Sequence, residues 1–256
     1  LVGVMASGTP FWLFNLCFLG YLLPVLLLVV FPSSDKPELL PWPADVTGFG
    51  TAAAWTLGCG TTISVLLRTI LRKLDWKQGS KSWAQHLDDW ARSAYLNVGL
   101  ASIGGLHARP RAFWILVTVY TAGYAVLFEM MRTVDLSINS TVLGNPKGLW
   151  VLVVSTFVLT VVVLRHVSFA SASGADGGQT FVFLLVAVLC VHFGLCWLPQ
   201  PRTLASARVH IHHWYWAFLA CHFPVFDSPL SQVAQALFMG VYLHGLACFG
   251  LETIFY

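Results

Sequence analysis

The sequence predicts an all-α, polytopic membrane protein: about seven transmembrane helices plus one interfacial amphipathic helix, in a single transmembrane domain over residues 1–256. Three observations predict it. Hydrophobic residues make up 57% of the chain and charged residues 10%, whereas soluble domains carry about 25% charged residues to cover their surface. Apolar runs of the length a bilayer demands, about 20 residues, recur along the chain. The basic residues gather in one hydrophilic stretch instead of spreading evenly, which is how a membrane protein marks its inner side. The formal charge of +3 is mild and points to no nucleic-acid partner.

The first expected span is Phe11–Phe31, with Pro24 as a kink. It is too long for a signal-peptide core and lacks a basic flank, so it is expected to remain as a span. The second, Thr47–Leu67, is rich in Gly, Ala and Thr and suited to close helix packing. A basic loop follows over residues 68–111, with Arg68, Arg72, Lys73, Lys77, Lys81, Arg92, Arg109 and Arg111. Within it Trp83, Leu87, Trp90, Ala94 and Tyr95 recur at helical spacing. That predicts an amphipathic helix near Ser82–Asn97, lying in the interface or packed on a partner subunit. The remaining expected spans are Ala112–Met131, Gly148–Leu164, Thr180–Leu198, Val209–Phe226 and Leu230–Phe255. The six cysteines all fall in apolar segments without CxxC spacing and read as packing residues.

Placing the basic loop inside fixes the rest by alternation. The N-terminus is expected inside and the C-terminus outside. The loop Phe31–Asp45 is expected outside, as is Arg132–Lys147 with its Asn139-Ser-Thr sequon; Asp227–Pro229 is expected inside.

The chemistry-bearing stretch is Arg208-Val-His-Ile-His-His-Trp-Tyr-Trp216, in a helical hairpin over residues 208–256. Histidine is rare in membrane segments because its ring nitrogens need partners. On a helix His210 and His213 share a face at i, i+3, while His212 points about 100° away. The expected topology brings His192, Glu129 and Glu252 to the same outer layer. His244, Cys248 and Glu252 form one stripe at i, i+4, i+8. Histidines with a carboxylate suit zinc or another transition metal. His210, His212, His213 and His192 are the candidate ligands, and Glu252 or Glu129 the candidate general base. The alternative is haem or chlorophyll, which needs a single axial imidazole, as His222 or His244 would supply. Histidines satisfied by backbone carbonyls and headgroups are the plainer reading. His166, beside Arg165, reads as a boundary residue, and His86 and His107 carry no signal. Walker A, GxGxxG, GxSxG and HExxH are all absent, and HxHH does not have the spacing of the di-iron desaturase boxes.

The segment Arg208–Ile254 resembles the membrane region of a fungal and protist family of LCCL-domain-containing membrane proteins. The matching residues are Arg208, His210, His212 and His213, then Gln235, Leu237 and Gly240, then Gly250, Leu251 and Glu252. The chain departs from that pattern in lacking an LCCL domain and in carrying His244 where the family more often has a polar amide. The resemblance implies a site at the histidines and no particular reaction. A looser, architectural likeness is to seven-helix hydrolases of the ceramidase and adiponectin-receptor type, which hold zinc with three histidines; their ligand spacing is not reproduced here.

Two functions are therefore expected. One is a membrane protein with a metal or cofactor site near the outer face, suited to metal-dependent lipid hydrolysis. The other is a non-catalytic subunit of a respiratory or photosynthetic supercomplex, binding lipid, haem or pigment. The expected partners are membrane lipids and other membrane subunits.

Overall fold

The computed structural model describes residues 10–31, 38–40, 46–76, 78–79, 81–131, 146–174, 178–183, 185–187, 190 and 213–250. Among them the architecture is all-α. The helices are α1 (Phe11–Val30), α2 (Val46–Leu74), α3 (Trp83–Arg92), α4 (Ala94–Ser102), α5 (Phe113–Met130), α6 (Pro146–Ala172), α7 (His213–Ala220) and α8 (Pro229–Phe249). Five of these, α1, α2, α5, α6 and α8, are long and apolar enough to cross a membrane.

The helix α8 is the axis of the bundle. Of its most apolar window 78% is buried, against 22% for α1 and 17% for α6. Those two helices instead present Trp12, Leu16, Leu23, Phe157 and Leu164 outward. Local chemistry sets the limits of α8. Ser228 accepts from the Ser231 backbone N–H, and Pro229 follows at a position where its missing N–H costs nothing. The helix stops at Gly250, whose φ of 70° suits glycine. A Cβ there would also strike the Asp89 carboxylate.

Pair contacts give each helix a direction. Gly240 packs on Tyr120 and Thr121, and Phe249 on Phe128, so α5 and α8 run parallel. Lys147 lies over Phe14, and Arg165 donates to the Val29 carbonyl, so α1 and α6 run parallel to each other. His166, near the end of α6, meets Ser231 at the start of α8. Hence α1 begins at the end of the bundle where α8 finishes.

This arrangement corrects four sequence expectations. First, α2 extends to Leu74, so Arg68 and Arg72 stand on the helix and not in a loop. Second, the expected interfacial helix is two helices that run back along α2. Trp83 meets Arg68 and Arg72, Trp90 donates its indole N–H to Ser64 Oγ at 2.8 Å, and Arg111 lies over Trp55. From Trp55 to Arg72 a helix rises about 25 Å, close to the thickness of a hydrocarbon core. Trp90, on the face expected at headgroup level, turns instead to small and polar positions of α2, Gly60 and Ser64. Third, Arg68, Gly79 and Lys81, expected on one side with Arg109 and Arg111, lie at the opposite end from them. Arg68 and Gly79 bond the last carbonyls of α8, whereas Arg109 bonds the chain just before α8. Fourth, the outside loop and the inside turn meet. Leu40 N–H donates to the Val225 carbonyl and Asp227 N–H to the Glu38 carbonyl, at 2.9 and 2.8 Å. The start of α1 and the end of α8 therefore share one end, contrary to an N-inside, C-outside layout.

Of the expected span Val209–Phe226 the described helix is α7 alone, after which the chain turns through Pro224. Most of Thr180–Leu198 lies outside the described residues; its Phe181 packs on Phe226 with ring centroids 5.2 Å apart.

Candidate functional site

Polar side chains reach α8 at three levels. At its N-terminal end the knot is Arg109 with Gln235. Arg109 donates from Nε to Gln235 Oε1 at 2.7 Å, from Nη1 to the Phe226 carbonyl at 3.1 Å, and from Nη2 to the Pro224 carbonyl. The Gln235 amide in turn donates to the carbonyls of Gly104 and Cys221. One arginine and one amide thus hold two chain segments, 104–109 and 221–226, against α8. Burial pushes the Arg109 pKa down to about 10 while Asp227 opposes the shift, so the group stays cationic at neutral pH.

Beside this knot stands a histidine–serine relay. His166 Nδ1 lies 2.6 Å from the Val162 carbonyl, and Nε2 lies 2.8 Å from Ser231 Oγ. A carbonyl only accepts, so Nδ1 carries the proton and Nε2 accepts from the serine hydroxyl. Ser231 Oγ accepts in its turn from Ser228. Ser231 and His166 are fully buried and the geometry is that of an interhelix tie.

Nearer the other end His244 sits among Tyr124 and Phe128, with centroids 5.0 and 4.9 Å away. Cys248 Sγ is 3.2 Å from its Nε2. Glu129, buried at the end of α5, belongs to this level through the Phe128–Phe249 contact of its neighbour. At the extreme end Arg68 donates to the Ala247 and Cys248 carbonyls at 2.8 and 3.3 Å, and also to the Lys81 carbonyl. A cation there complements the negative end of the α8 dipole and satisfies its terminal acceptors.

The sequence-derived site residues divide accordingly. His192, His210, His212 and Glu252 lie outside the described residues. His213 opens α7, and its backbone is placed by Trp214, whose ring lies 6.4 Å from Tyr242, two residues before His244. His222 is buried in the turn after α7, and its Nδ1 lies 3.0 Å from the Phe218 carbonyl. Glu129 and His244 share one end of the bundle. Among the described residues no group of three His, Cys, Asp or Glu side chains is arranged to hold a metal ion.

Sequence reasoning missed Arg109 and His166. The usable signal for His166 was a polar ring in a run otherwise apolar, with polar Ser231 opposite on another span. For Arg109 there was none, because it stood among other basic residues of one long loop. Comparison with protein-family models, with curated proteins and with solved structures gives no match to this chain.

Proposed function

We propose that this chain is a non-catalytic, multi-pass membrane subunit, a rigid scaffold whose outer helices face lipid or neighbouring subunits. The observation that carries this reading is the locking of α8 at both ends. Arg68 and Arg109, fully or nearly buried, direct their donors at backbone carbonyls and an amide, so these charges hold helices together. Such ties are costly to break in a low-dielectric interior and give a fixed frame. The exposed apolar faces of α1 and α6 are the surfaces left for lipid or partner. The end bearing Arg68, Arg72, Lys73, Lys81 and Lys147 is, by the charge rule, the inner one. The test is native electrophoresis of gently solubilised membranes. The expected result is migration in an assembly larger than the chain, lost on Leu16→Arg and Phe157→Arg at those faces. Migration alone, unaffected by either substitution, contradicts the reading.

The metal or cofactor site is the second reading. It is favoured by the level at which α7 enters: the His213 backbone stands near the depth of His244, towards the end that holds Glu129. His210, His212, His192 and Glu252 would complete a zinc or transition-metal site, or His222 or His244 an axial site for haem or chlorophyll. Metal analysis of purified protein beside its absorption spectrum separates these. Stoichiometric zinc without a visible band supports the metal site, suited to lipid hydrolysis; a Soret or chlorophyll band supports the pigment site. Neither result leaves the scaffold alone.

A further inference from the structure

Where α8 ends, two guanidinium groups share one indole. Arg68 and Arg72, a turn apart on α2, place their charge centres 5.7 and 5.6 Å from the Trp83 ring centroid. Like charges at this spacing repel, and more strongly beside a low-dielectric interior than in water. Arg68 commits its two terminal nitrogens to carbonyls, but its Nε–H is buried and has no partner. His86, fully buried one turn into α3, meets the edge of Trp83 at 5.9 Å between centroids. Neither of its ring nitrogens has a partner. A buried donor left in this state carries its full desolvation cost. The nearby carboxylate, Asp89, is engaged by Lys81 at 2.5 Å. Arg72 is exposed and Trp83 half-buried, so the cluster opens outward. It also adjoins the N-terminus of α3, the positive end of that helix.

We infer that Arg72, the Arg68 Nε–H and His86, gathered around Trp83, form a binding site for a phosphate group. Two guanidinium groups and an imidazole disposed around one ring suit a tetrahedral oxyanion, whose oxygens face several directions, better than a planar carboxylate. Such an anion removes the Arg68–Arg72 repulsion and gives the orphaned donors acceptors. A tryptophan at the end of a membrane bundle stands at headgroup depth, where the phosphates of anionic lipids lie. A lipid headgroup and free phosphate offer the same chemistry, and the experiment tells them apart.

The test is native mass spectrometry of the full chain released from phosphatidylcholine nanodiscs that carry phosphatidic acid. A parallel arm uses phosphatidylcholine alone with added inorganic phosphate. The expected result is a retained phosphatidic-acid adduct, reduced about tenfold by Arg72→Ala, the loss of roughly one charge-assisted hydrogen bond. His86→Phe gives a similar reduction, and Lys73→Ala, exposed on the same turn, gives none. An adduct in the phosphate arm only assigns the site to free phosphate. Arg72 is exposed, so its replacement leaves the fold intact and its result stands even if His86→Phe misfolds. Retention unchanged by Arg72→Ala in both arms, or reduced equally by Lys73→Ala, overturns the inference.

Discussion

Gln235 is the fully buried one of the two amides in α8, and the two ends of its side chain have different partners. Its oxygen accepts from Arg109, and its nitrogen donates to two carbonyls of other segments. Gln235→Leu keeps the volume but strands a buried guanidinium donor and two acceptors. It is expected to cost about 2–4 kcal/mol, read as a fall in the thermal unfolding midpoint of the purified protein. Gln235→Glu, which keeps an acceptor for Arg109, should lose less. Gly240 makes a second test at this scale. A Cβ there would stand 2.8 Å from backbone atoms of Tyr120 and Thr121, whereas one at Gly58 meets nothing within 4 Å. Gly240→Ala is expected to destabilise by about 1–3 kcal/mol by forcing α5 and α8 apart, and Gly58→Ala to be nearly silent in the same unfolding assay. Gln235 and Gly240 both have a packing role.

At the scale of elements, the apolar runs of α1, α5, α6 and α8 were legible because a long stretch without charge has few alternatives to a span. The pair α3–α4 was not. Its tryptophans at helical spacing fit a helix at the lipid surface as well as one packed inside, and period alone does not say what the polar face meets. Here Trp90 meets Ser64 and Gly60 of α2, and Ser93 marks the break between the two helices by turning its hydroxyl back to the Trp90 carbonyl. The prediction at this scale is Trp90→Phe, which removes the indole N–H bonded to Ser64. A loss of about 1 kcal/mol is expected, and Trp90→Phe with Ser64→Ala together should cost less than the sum of the singles. Additive losses in that double-mutant cycle would place Trp90 away from Ser64. The histidine cluster lies mostly outside the described residues.

For the whole molecule, alternation of sides failed at one step. The basic stretch was counted as a single inner loop, yet it crosses the bundle between Lys81 and Arg109, and the expected directions of α5, α6 and α8 invert with it. The contact of residues 38–40 with 225–227 and that of Gly79 with Cys248 both follow from this crossing. The direct measurement is labelling of Lys73→Cys and Arg111→Cys by a membrane-impermeant maleimide in sealed vesicles, in a background whose six native cysteines are replaced by alanine. Both side chains are exposed, one at each end of the crossing. Labelling of the two from opposite faces is the predicted result. Labelling of both from the same face would contradict it and return the α3–α4 pair to the membrane surface.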